Sequence, residues 1–99
     1  MEKLEYLYNS YINEFKCNYY IVKSTKHFID VGDSVNVFGV KIDKLSTSGD
    51  LISTAMVSDV GINENDVRDF IKVLSDGKVT PITLKEIVAD TIISWKNAY

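Results

Sequence analysis

The hydrophobic period of this chain changes once, close to residue 62, and that change limits the folds open to it. Before it, apolar residues recur at every second position: Phe38, Val40 and Ile42 share one parity while Lys41 and Asp43 take the other, the pattern of a half-buried strand. After it they recur at spacings of three, four and seven, as in Val67, Phe70, Ile71 and Leu74, the stripe of an amphipathic helix. Strands first and helices afterwards is an α+β order. The expected fold is a four-stranded antiparallel sheet followed by two C-terminal helices packed on one face, with residues 1–99 forming a single domain.

Strands are expected over residues 4–12, 15–26, 34–45 and 51–60. The first two are rich in tyrosine and β-branched residues, and turn chemistry separates the later ones, Asp30-Val31-Gly32-Asp33 and Ser46-Thr47-Ser48-Gly49-Asp50. Asn63 is placed to cap the first helix, whose opening turn holds Glu64 and Asp66 near the positive end of the helix dipole. The stretch from Gly77 to Trp95 then reads as stop, turn and restart. Gly77 is expected to end the first helix in the left-handed conformation, and Pro81 bars its continuation. Thr83 is expected to cap the second helix, residues 84–97, with Glu86 reaching back to complete a capping box and Ile82 stapled onto Ile87. The expected core is Phe38, Val40, Ile42, Phe70, Ile71, Leu74, Leu84, Val88, Ile92 and Trp95.

Four strands at about 4.8 Å span roughly 19 Å, and two helices of about 10 Å side by side span about as much. One face of the sheet is therefore left uncovered. Five of the six tyrosines fall within the first 20 residues, so the open face is expected to carry a tyrosine-bearing patch. Tyr6, Tyr8 and Tyr19 are the candidate interaction residues, with Tyr11 and Tyr20 as the alternate set if the parity runs the other way. The competing reading is that these rings pack across strands with their hydroxyls in water.

Several chemistries are poorly served. One histidine, His27, and one cysteine, Cys17, could form a thiol dyad only if the chain reversed between them, because ten strand residues place them roughly 33 Å apart. The same shortage leaves no metal framework, and the acidic stretch of residues 59–66 lacks the order of a calcium loop. There is no glycine-rich phosphate cradle and no nucleophile elbow. No enzyme, cofactor or metal is expected. Net charge is −3, which gives no general pull toward phosphates or anionic lipid. Residues 49–99 hold five basic and eight acidic side chains, which speaks against a helix-turn-helix, as does the proline-containing link between the helices. No apolar run approaches the roughly 20 residues needed to span a bilayer. A lone cysteine fits a reducing, cytoplasmic setting.

The runs Val37-Phe38-Gly39-Val40-Lys41-Ile42-Asp43 and Leu74-Ser75-Asp76-Gly77-Lys78-Val79-Thr80-Pro81-Ile82-Thr83-Leu84 resemble those of a family of small proteins of unknown function from clostridia and related spore-forming bacteria. That resemblance spans about residues 19–93 and implies a bacterial origin and one compact domain, with no catalytic site to carry over. The reading of the residues themselves is a non-enzymatic interaction or regulatory domain, self-associating or binding a protein through its tyrosine-bearing sheet face. The alternative is a nucleic-acid-associated regulator working through the helical pair or the sheet.

Overall fold

The structure is a computed structural model and describes residues 2–28 and 32–97, apart from the side chains of Phe28, Asp33 and residues 92–97. Its elements run β1 (Lys3–Ile12), β2 (Phe15–Phe28), β3 (Asp33–Leu45), β4 (Leu51–Gly61), α1 (Glu64–Asp76) and α2 (Pro81–Asn97). The strands form one antiparallel meander in the order β1-β2-β3-β4. This is the four-stranded sheet followed by two helices that the change of period predicts. Asn13, whose short polar side chain tolerates a positive φ, turns β1 into β2 at φ 55°. Gly49 at φ 89° sits in the β3–β4 turn, where the Ser46 amide donates to the Asp50 carbonyl at 2.9 Å. Asp30 and Val31, expected in the β2–β3 turn, lie outside the described residues.

Asn63 caps α1 as its sequence predicts: its Oδ1 accepts the Asp66 amide at 3.1 Å. The other end of α1 differs from expectation. Gly77 has φ −84°, and the left-handed residue is Lys78, at φ 54°. The Val79 amide donates to the Leu74 carbonyl and the Lys78 amide to that of Ser75, the paired bonds of a Schellman motif. A Cβ at Gly77 would lie 3.3 Å from the Val73 carbonyl oxygen, a close but not excluded approach.

The start of α2 also needs correction. The helix begins at Pro81, two residues before the expected cap, because proline suits the first helical position: its fixed φ is helical and its missing N–H would have no intrahelical partner. Thr83 therefore lies inside the first turn, where its amide and its hydroxyl both donate to the Thr80 carbonyl. Among the described residues no backbone amide donates to its hydroxyl. Ile82 is 84% exposed and staples nothing.

Helix α1 crosses all four strands while α2 lies mainly along β4. The core between them and the sheet includes Val40, Ile42, Ile71, Leu74, Leu84 and Val88 as expected, with Phe38 and Phe70 half-buried at its edge. Sequence periodicity missed Cys17, Tyr19, Ile21 and Val60, all buried there. Ile92 and Trp95, also assigned to the core, lie outside the described side chains.

Candidate interaction face

The register fixes which residues share the face that the helices leave open. Residues paired across strands point to one side, so Tyr6, Tyr20 and Lys41 form a row that continues to Met56. The next row is Asn9, Asn18, Asp43 and Thr54, and beyond it Tyr11 lies opposite Lys16. On the other side of the tyrosine row, Leu4 pairs with Val22 and Val22 with Gly39.

A bulge at Leu7 decides the fate of the tyrosines. Tyr6 pairs with Tyr20, but Tyr8 pairs with Tyr19, so β1 holds one extra residue between them and its parity inverts. Tyr6 consequently faces outward, 48% exposed, with its ring edge-on to Tyr20 at 5.8 Å. Tyr8 turns to the helix side, where the Lys72 ammonium of α1 stands 5.5 Å from its ring centre. Tyr19 is fully buried. Its hydroxyl donates to the Val79 carbonyl at 2.8 Å and meets Ser10 Oγ at 2.9 Å, which ties the turn between the helices to the sheet. Burial pushes its phenol up from the usual tyrosine range. Tyr19 is therefore a core residue and not part of an exposed patch, and Tyr8 is on the covered side. The outward rings are Tyr6, Tyr11 and Tyr20, drawn from both sets named from the sequence. Three consecutive apolar side chains, Tyr6-Leu7-Tyr8, are the signal that alternation slips at this point.

One end of the open face is closed by its own chain. Ser58 of β4 donates to Glu2, just ahead of β1, at 2.7 Å, although β1 and β4 are opposite edges of the sheet. Lys26 of β2 reaches Asp59 at 2.9 Å. Beneath these contacts Val22 and Val37 are buried. The strand crosses so closely that a Cβ on Gly39 would stand 2.0 Å from the Val57 carbonyl oxygen, so only glycine fits there.

The remaining open surface is apolar and charge-balanced. Leu4, Tyr6, Tyr11 and Met56 are all at least 40% exposed. Lys41 lies 3.6 Å from Asp43 and 5.7 Å from the Tyr20 ring centre, and Lys16 stands 6.0 Å over Tyr11. Thr54 donates to Asp43 at 2.6 Å. Asn18 Oδ1 is buried without a hydrogen-bond partner. Beside Lys41, Leu4 and Met56 the surface dips into a recess of about 590 Å³ whose rim includes Lys85 of α2.

Among the described residues the face contains no assembly of nucleophile, acid and base. Cys17 is buried on the helix side and its thiol is pushed up by desolvation, the state of an inert structural cysteine. His27 is exposed toward the far end of the same strand. Among the described residues no group of three or more His, Cys, Asp or Glu could hold a metal ion, and no helix is long and apolar enough to cross a membrane. On the helix side, Glu5, Lys23, Glu64 and Arg68 form a linked set of ion pairs joining β1 and β2 to α1. Lys23 and then Arg68 hold the Glu5 carboxyl below the usual range, and Arg68 does the same for Glu64.

Comparison with curated proteins finds no match, and comparison with solved structures finds none either. A family model does match, over residues 1–94, which spans the whole sheet and nearly all of both helices, and the chain therefore belongs to a family of unknown function, DUF6514.

Proposed function

We propose that this chain is a non-enzymatic interaction domain that docks a protein surface on its open sheet face. The observation that carries this reading is the combination, on one side of the sheet, of exposed Leu4, Tyr6, Tyr11 and Met56 with charges that cancel. Aromatic side chains give large contact area for little lost freedom, and the centre of a protein interface is depleted in net charge. The buried thiol and the remote histidine support a role without catalysis. The lone cysteine and the resemblance to proteins of spore-forming bacteria favour a bacterial cytoplasm.

Nucleic acid is the weaker reading. A strand of bases stacks on free ring faces and draws on surplus positive charge, whereas here Lys16 and Lys41 already lie over Tyr11 and Tyr20. A titration with single-stranded DNA and RNA at low salt is expected to show no salt-sensitive binding. The decisive experiment is capture from the native host with the wild-type chain and with a Leu4→Ser, Tyr6→Ser, Tyr11→Ser variant, followed by reconstitution from purified components. The variant is expected to lose the reconstituted partner while keeping its thermal transition. Equal binding by both chains would overturn the reading.

A further inference from the structure

We infer that the open face docks a second copy of this chain about a two-fold axis that sets Lys41 of each copy against Asp43 of the other. The inference rests on the proposed use of this face and names its occupant. Three observations carry it.

The first is charge. On the open face Lys16 and Lys41 stand against Glu2 and Asp43, and Lys26 against Asp59. The sheet surface itself, apart from Lys85 at the rim of its recess, therefore carries no net charge toward a polyanion or a polycation. A surface carrying both signs is complementary to itself under a two-fold rotation. The second is the order of the rows. An axis lying along the rows, between the row of Tyr20 and Lys41 and the row of Asn18 and Asp43, lays each strand antiparallel over its own copy. Each row is then opposite the other. Lys41 faces Asp43 twice, Met56 faces Thr54, and Leu4 faces Tyr11, an aliphatic side chain against an aromatic one, both exposed in the single chain. The same rotation sets the Tyr20 side chain opposite Asn18, an aromatic ring against an amide.

The third is size. Four strands of about ten residues cover roughly 19 by 33 Å, or about 600 Å² in plan, before the relief of the side chains is added. A standard interface buries about 800 Å² per partner. Two sheets can meet over such an area with their strands within about 30° of one another.

Sedimentation and labelled-chain exchange test the arrangement. The wild type is expected to show a concentration-dependent monomer–dimer equilibrium. Lys41→Glu or Asp43→Lys alone brings like charges together at both symmetric contacts, and each should weaken association at least about tenfold. Mixing the two variants in equal amounts should restore it, because opposite charges then meet at both contacts, an effect that no loss of the pair within one chain can mimic. Should either single variant fail to fold, the double exchange Lys41→Glu with Asp43→Lys keeps the intrachain pair. That chain should dimerise with itself and refuse to exchange with wild type. A wild type that stays monomeric at every accessible concentration overturns the inference while leaving the capture experiment to decide the broader reading. Single variants that are not rescued by mixing, or a double exchange that mixes freely with wild type, overturn it as well.

Discussion

The two faces of the sheet are built from the same four strands and the same alternation, yet they differ in what fixes their side chains. On the helix side Tyr19, Ile21, Val40 and Ile42 are fully buried against α1 and α2. On the open side their immediate neighbours Tyr20, Lys41 and Asp43 touch one another and solvent. Two tyrosines adjacent in sequence thus have different physics: Tyr19 spends its hydroxyl on the turn after α1, and Tyr20 presents its ring outward. Burial, not residue type, separates a structural tyrosine from an available one.

The sharpest way to break this contrast is a pair of truncations. Ile42→Ala, at a fully buried position between the helices and the sheet, should cost about 2–5 kcal/mol of unfolding free energy in a denaturant titration. Met56→Ala, on the open side and 40% exposed, should change it by about 0.5 kcal/mol or less in the isolated chain. Equal losses would mean that the open face is itself core. A smaller contrast lies in the hydroxyls. Tyr19→Phe leaves the Val79 carbonyl without its donor and should cost about 1–3 kcal/mol, while Tyr6→Phe removes only an exposed bond to Asn9 and should be nearly silent in the same measurement.

The acid response gives the finest discrimination. Glu5 and Glu64, at the rim of the helix side, have folded pKa values below the ordinary 4.5. A carboxylate depressed on folding contributes stability that is complete above its unfolded pKa and is lost as pH falls through the folded value. Unfolding followed from pH 6 down to pH 3, a window of about three units chosen to bracket that range, should therefore show stability declining below about 4.5. Arg68→Met should shrink that decline, since Arg68 bonds both carboxylates. An unchanged pH profile would show that the ion pairs at this rim are too well solvated to matter.

The architecture was legible in the sequence because it depends on period and punctuation. The single change of period separated sheet from helices, and Asn63 and the Ser46–Asp50 turn marked boundaries by chemistry that acts over three or four residues. Two local signals competed around Pro81, and there the reading failed: Thr83 and Glu86 fit the spacing of a capping box, but a proline at the first helical position starts the helix three residues earlier than expected. The candidate face was only half legible. Alternation says that strand residues divide into two sets, but not where the division slips, and the bulge at Leu7 exchanges the sets midway along β1. Tyr19 could be assigned to the core only once its long-range bond to Val79 was known, a contact between residues 60 apart in sequence that no local pattern encodes.

That bulge also has a consequence for how β1 tolerates change. One extra residue at Leu7 acts as a frameshift in the two-letter code of a strand, so the segment before it and the segment after it are read in opposite frames. Leu4 and Tyr6 answer to the open surface, while Tyr8, Ser10 and Ile12 answer to the helix side. Losing that residue by deletion would force one half of β1 into the other's frame, bringing Leu4 and Tyr6 against the helices or Tyr8 and Ile12 into the open. Substitutions at the two ends of β1 therefore act on different faces, whereas a change of length at position 7 acts on both.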